Sequence, residues 1–117
     1  MDLGVKGKVA IVTGGSDGIG RAAAERLSAE GALVALVSRT QANLDAAALE
    51  ISDITGYEVI GIATDVRSEA AVETMTQAVV SKWGRIDILI NNAGTSSFAR
   101  FEKMTNEQVE EDFTLKV

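Results

Sequence analysis

The 117 residues predict an α/β fold, a doubly wound parallel sheet of about four β-α units. Three observations carry that expectation. Four short apolar runs alternate with segments of helical spacing along the chain. Such runs suit strands covered on both faces, and strand-helix alternation puts helices on both faces of a parallel sheet. Glycine then punctuates the pattern: a glycine-rich turn follows the first run, and a single glycine follows each of the next three helical segments.

The elements follow in order. Val9 to Val12 is the first buried run, and Ile19, Ala23 and Leu27 then recur at helical spacing, which predicts one apolar helix face. Gly31 stands where a left-handed helix cap is expected. Leu33 to Val37 is the second run; Leu44, Ala48, Ile51 and Ile54 mark the second helix, closed by Gly56. Val59 to Ala63 is the third run. Ser68 is placed to cap the third helix, with Val72, Met75 and Val79 on its buried side and Gly84 at its end. Ile86 to Ile90 is the fourth run. Thr105 with Gln108 forms a capping-box pattern that opens a last helix, with Val109, Phe113 and Val117 on one face. Repeats, low-complexity segments and linkers are absent from the sequence.

Composition narrows the function classes. The net charge of −6 lacks the basic footprint that nucleic acid or an anionic membrane surface would need. The absence of cysteine and histidine removes disulfides, zinc sites of the usual kind and any Ser-His-Asp triad. Residues 1–7 hold no apolar stretch of the secretory kind, and no run approaches the roughly 18 residues that suggest a membrane span. A cytoplasmic protein is the expectation.

The chemistry-bearing residues sit at the carboxyl ends of the predicted strands, the edge at which open α/β sheets bind ligands. Gly14, Gly18 and Gly20 lie between the first run and the first helix. Glycine there allows a tight turn and close backbone approach to a pyrophosphate, and the helix N-terminus offers free N–H groups and the positive end of its dipole. Asp65-Val66 follows the third run, and Asn91-Asn92-Ala93-Gly94 follows the fourth. Each of these alone is compatible with an ordinary loop; their order and spacing are the signal.

Thr13-Gly14-Gly15-Ser16-Asp17-Gly18-Ile19-Gly20 and Asn91-Asn92-Ala93-Gly94 resemble the T-G-x-x-x-G-x-G and N-N-A-G signatures of the short-chain dehydrogenase/reductase family. The resemblance covers nearly the whole chain and about the first half of a typical member. It implies a Rossmann-like sheet of order 3-2-1-4 and reads residues 1–117 as a single truncated dinucleotide-binding domain. It also implies a nicotinamide nucleotide as ligand. Gly14, Ser16, Asp17, Gly18, Ile19 and Gly20 would face the cofactor at the turn. Asp65, with Val66 beside it, would accept a hydrogen bond from the adenine amino group. Asn91, Ala93 and Gly94 would contact the cofactor ribose and support the sheet.

The end of the second run bears on which nucleotide is bound. An NAD site usually places a carboxylate there for the ribose 2′-hydroxyl. This chain has Ser38, Arg39 and Thr40 instead, and a guanidinium can fork onto phosphate oxygens. NADP is therefore expected over NAD. Asp17 departs from the pattern, since many NADP-preferring relatives carry a second basic residue in the glycine turn.

By the same resemblance, a member reduces a carbonyl with a tyrosine proton donor, a lysine four residues later, a serine, and an asparagine water relay. Tyr57 is the sole tyrosine and has Gly61 four residues on. Ser96 and Ser97 follow the fourth run, not the fifth. The family spacing from Gly94 puts Lys116 at the asparagine position. The expectation is thus a cofactor-binding portion without its catalytic serine and Tyr-x-x-x-Lys. A non-catalytic nucleotide-binding or subunit-pairing module, and a ligand-free folded remnant, are the alternatives. Without a fifth strand, Ile86 to Asn91 would be an open apolar edge, so a homo-oligomer through that edge or the last helix is expected.

Overall fold

The computed structural model describes residues 4–14 and 18–92, and the backbone of 114–116. Its elements are β1 (Val9–Thr13), α1 (Gly18–Ala29), β2 (Leu33–Ser38), α2 (Gln41–Thr55), β3 (Val59–Ala63), α3 (Glu69–Trp83), β4 (Ile88–Asn91) and β5 (Thr114–Lys116). The strands form one parallel sheet in the order β3-β2-β1-β4-β5. The expected 3-2-1-4 order is present, with a further strand added beside β4.

The apolar runs are explained by the two faces of this sheet. Successive side chains of a strand point to opposite sides. Ala10 and Val12 of β1 join Val34 and Leu36 of β2 in a cluster with Ala24 and Leu27 of α1 and Leu44 and Ile51 of α2. Val9 and Ile11 join Ala35 and Val37 in a second cluster with Val72, Met75 and Val79 of α3. Both faces of β1 are covered, and all five residues of that strand are buried.

The predicted boundaries of the first three helices hold, and two predicted faces hold only in part. Ser68 caps α3 by accepting from the Ala71 N–H at 3.2 Å. Gly56 and Gly84 take left-handed conformations and close α2 and α3 through N–H bonds to Ser52 and Val80. In α1, however, Gly20, Ala24, Leu27 and Ser28 face inward, Ala23 is half-buried and Ile19 is 79% exposed. Leu27 alone of the predicted stripe lies in the core. The helix is rotated because its first turn closes on the end of β1 through Gly20. In α2, Leu44, Ala48 and Ile51 are buried as predicted, with Ala47, but Ile54 is 72% exposed. It stands in the last turn of that helix.

The fourth run begins pairing later than predicted. Ile86 is fully buried but precedes the strand, and β4 pairs with β1 from Ala10↔Ile88 to Thr13↔Asn91. The residue between them, Asp87, is a buried carboxylate that accepts from the Val9 N–H at 2.8 Å and from Arg85 Nε at 2.8 Å. It fastens the amino end of β1 to the start of β4.

The last predicted helix is corrected at its end. Thr114–Lys116 is strand, in register with Ile88–Ile90, so Lys116 stands opposite Ile90 on a strand and not on a helix. The same pairing corrects the expected open edge of β4, which is occupied over Ile88–Ile90. Capping boxes and helical period are local signals; the unmet N–H and C=O groups along the outer side of β4 are a non-local demand, and a parallel strand meets it. Thr105, Gln108, Val109, Phe113 and Val117 lie outside the described residues. No helix among the described residues is long and apolar enough to cross a membrane.

Candidate functional site

The site begins where β1 ends. The buried Thr13 hydroxyl donates to the Ile90 carbonyl at 3.3 Å and accepts from the Asn92 N–H at 2.9 Å, joining the carboxyl ends of β1 and β4. Gly14, at φ +67°, turns the chain away from the sheet, and its N–H donates to Val37 of β2 at 2.7 Å. Gly20 explains the glycine spacing. A Cβ there would overlap the Gly14 carbonyl oxygen and lie 2.8 Å from its carbonyl carbon. Only a hydrogen at that position lets α1 start directly above the end of β1. The Asn92 side chain fills the remaining space: its Nδ2 would lie 3.2 Å from a Cβ on Gly14 and 3.1 Å from one on Gly20. The first turn of α1, Gly18 to Gly20, supplies N–H groups without helical partners. Ile19 is exposed beside them.

A cleft of about 260 Å³ opens next to this turn. It is lined by Gly14, by Val37, Ser38 and Arg39 at the end of β2, and by the four residues from Thr64 to Arg67 after β3. The Thr64 N–H donates to the Ser38 carbonyl at 2.6 Å, so the two loops leave the sheet side by side. Asp65 takes Arg67 as partner: Oδ1 accepts from the Arg67 N–H and from its Nε, both at 3.0 Å, and Oδ2 accepts from a terminal guanidinium nitrogen at 3.2 Å. These hydrogen bonds hold the Asp65 carboxyl below the usual carboxylate range, and the field of Arg39 adds to the effect.

The loop after β2 is held from the other side by Gln41, the first residue of α2. Its carboxamide accepts from the Ala63 N–H at 3.0 Å and donates to the Gly61 carbonyl at 3.0 Å. Both groups lie on the side of β3 away from β2, since alternate residues such as Thr64 bond to β2. Gln41 thus occupies the place that the peptide of a further strand would take. Thr40 sits at the N-cap of α2 without its side chain capping the helix, and its N–H reaches Ser38 Oγ at 3.5 Å.

Of the residues singled out in the sequence, Gly14, Ser38, Arg39, Asp65 and Val66 line the one cleft. Thr40 adjoins it at the N-cap of α2, Gly18, Ile19 and Gly20 adjoin it at the start of α1, and Asn91 ends β4 opposite Thr13. Ser16, Asp17, Ala93, Gly94, Ser96 and Ser97 lie outside the described residues. Tyr57 is exposed in the connection from α2 to β3. Sequence reasoning missed Arg67, Gln41 and the Asn92 side chain. A charged residue two positions from an Asp was a visible turn signal for Arg67; the other two act across the fold and carry no local mark. Among the described residues no cluster of three or more metal-ligating side chains occurs.

Comparison with known proteins agrees with this geometry. The short chain dehydrogenase family model matches residues 8–117. Sorbitol dehydrogenase of Cereibacter sphaeroides is 38% identical over 111 residues, which are 95% of this chain and 42% of that protein. L-Sorbose reductase from Gluconobacter frateurii, solved with NADPH and L-sorbose, superposes with a TM-score of 0.77 at 44% identity, over 81% of this chain and 36% of its own. An NAD⁺-bound xylitol dehydrogenase superposes with a TM-score of 0.77 at 32% identity, over 88% of this chain and 48% of its own. The chain spans less than half the length of the curated relatives it matches. The parallel sheet, its strand order, the glycine turn at its carboxyl edge and the family match over residues 8–117 lead to one conclusion: the chain belongs to the short-chain dehydrogenase/reductase family of oxidoreductases.

Proposed function

We propose that residues 1–117 form one nicotinamide-nucleotide-binding domain that prefers NADP(H) to NAD(H), the cofactor portion of a carbonyl/alcohol oxidoreductase. The observation that carries the preference is the carboxyl end of β2, where Ser38 and Arg39 line the cleft and no carboxylate stands in their place. Similar folds have been solved with NADPH and with NAD⁺, which supports reading the loop after β2 as the point of choice.

The residues fit a dinucleotide. Gly14 and Gly20 let α1 start tightly against the end of β1, since a Cβ on Gly20 would overlap the Gly14 carbonyl and one on Gly14 would crowd Asn92. In this reading Gly14, Ser16, Asp17, Gly18, Ile19 and Gly20 surround the pyrophosphate at the head of α1. Ser38, Arg39 and Thr40 hold the 2′-phosphate, Asp65 and Val66 meet the adenine, and Asn91, Ala93 and Gly94 approach the ribose on the nicotinamide side. The bound nucleotide supplies a hydride to a carbonyl; the protein residues that donate the accompanying proton in the family, Tyr-x-x-x-Lys, do not occur in these 117 residues. The chain alone is therefore proposed to bind without turnover. Self-association is part of the same proposal, now at the β5 end of the sheet, where the described strands stop.

Calorimetric titration of the purified chain with NADP⁺ and NAD⁺ tests the reading. Tighter binding of NADP⁺, lost when Arg39 becomes Ala, is expected. A folded chain that binds neither nucleotide would overturn it and favour a ligand-free remnant. A monomer in sedimentation at tens of micromolar would remove the self-association.

A further inference from the structure

Arg67 has no part in the reading above, yet it controls the chemistry of Asp65. Asp65 Oδ1 accepts two hydrogen bonds from Arg67, one from its backbone N–H and one from Nε, and Oδ2 accepts one. An ionised carboxylate has about four lone-pair positions, two on each oxygen. Three are therefore taken, and a single acceptor position remains, on Oδ2. The backbone contact closes a short ring, so the carboxylate plane is set by the chain itself, and the guanidinium fork locks its rotation. The ring is anchored in turn: the Asp65 carbonyl accepts from the Ser68 N–H at 2.9 Å, and Ser68 caps α3. Asp65, Val66 and Arg67 all line the cleft.

Two consequences follow from elementary chemistry. A partly exposed aspartate is ionised near neutral pH and can accept but not donate, and the Arg67 fork adds a fixed orientation to that acceptor. Its one remaining lone pair then favours a ligand N–H and repels a ligand carbonyl at the same place. A neighbouring guanidinium also offsets the negative charge that Asp65 would otherwise present to a phosphate close to Arg39.

We infer that Arg67 is a positioning residue that fixes the orientation of the Asp65 acceptor and thereby sharpens selection of a purine bearing a 6-amino group over one bearing a 6-oxo group. The inference rests on the nucleotide-binding reading and assigns Arg67 no contact with the nucleotide. Its magnitude follows from a polar site facing the wrong group: a ligand that offers an acceptor to a fixed acceptor loses a hydrogen bond and gains a repulsion.

The test is calorimetric titration of the full 117-residue chain with NADP⁺ and with its hypoxanthine counterpart, in which oxygen replaces the adenine amino group. The unaltered chain is expected to bind NADP⁺ at least about tenfold more tightly than the hypoxanthine form. Arg67→Ala should reduce that ratio to about threefold or less, and Arg67→Lys should do the same, because lysine keeps the charge but not the fork. Arg67 is largely exposed, so both variants should fold, which far-ultraviolet circular dichroism would check. Arg67→Gln provides a second neutral variant if alanine disturbs the loop. An unchanged ratio in Arg67→Ala would overturn the inference. So would a fall in the preference for NADP⁺ over NAD⁺ with the purine ratio intact, which would make Arg67 a phosphate contact. If NADP⁺ binds but the unaltered chain does not distinguish the purines, this inference fails while the cofactor reading stands; if neither nucleotide binds, the cofactor reading fails and takes the inference with it.

Discussion

Replacing Thr13 by valine removes one oxygen and keeps the shape of the side chain, so it isolates the hydrogen bonds that join β1 to β4 beneath the cofactor turn. The Thr13 side chain is fully buried while Asn92 is exposed, so the lost partners are only partly shielded from water. One loss is the donor to the Ile90 carbonyl, a long bond at 3.3 Å. The other is the acceptor for the Asn92 N–H at 2.9 Å, which is left without that partner. A weak bond of about 0.5 kcal/mol and an unsatisfied, partly buried donor at about 1–2 kcal/mol give a loss of about 2 kcal/mol. With a urea dependence of about 2 kcal/mol/M for a domain of this size, the unfolding midpoint should fall by about 1 M. Thr13→Ser keeps both hydrogen bonds and loses one buried methyl, worth about 1 kcal/mol. Urea unfolding of the two variants by circular dichroism therefore has a required order, with valine the more destabilised. A serine variant equal to or worse than the valine one would refute the hydrogen-bonding account and make Thr13 a packing residue. NADP⁺ affinity should fall in Thr13→Val as well, because the Asn92 side chain wedged against Gly14 and Gly20 hangs from the same bond.

Gly20→Ala should cost more than the ordinary preference for alanine in a helix can return, about 1 kcal/mol, because the added carbon meets backbone and not a movable side chain; a drop in thermal midpoint together with loss of NADP⁺ binding by titration is expected, and an alanine variant of unchanged affinity would contradict the close approach. Asp87→Ala should destabilise by about 3 kcal/mol, since it strands the buried Val9 N–H and removes a carboxylate acceptor from Arg85, whereas Asp87→Asn keeps one acceptor and should cost about half as much; chemical denaturation checks the order. The Asp65 carboxyl is depressed by Arg67, so its pairing is complete above the ordinary carboxylate pKa of about 3.9 and is lost only as pH falls through the lower folded value. Carboxyl carbon NMR should accordingly show Asp65 titrating below that range, and returning to it in Arg67→Ala.

Much of this fold is legible in the chain because its signals are local. A strand covered on both faces must be apolar at every position, so Val9 to Val12 and Leu33 to Val37 announce themselves without reference to any neighbour. Helix ends are equally local: Ser68 satisfies the Ala71 N–H three residues away, and Gly56 and Gly84 adopt backbone conformations that side chains disfavour. The glycine turn, Asp65-Val66 and the acid-free end of β2 are readable for the same reason, and the sheet then brings them to one cleft.

Tertiary structure decided what depends on distant groups. The rotation of α1 is set by contact between Gly20 and the Gly14 carbonyl, which turned Ile19 outward and Ala24 inward although the spacing favoured Ile19. The fate of residues 114–116 is set by the pairing that β4 seeks along its outer side, a demand stronger there than helical period. Gln41 stands in for a neighbouring strand at Gly61 and Ala63, and Asn92 braces a turn nearly eighty residues earlier in the chain. Local preference is encoded residue by residue, whereas the partner of a backbone group and the facing of a helix exist only once the sheet has formed.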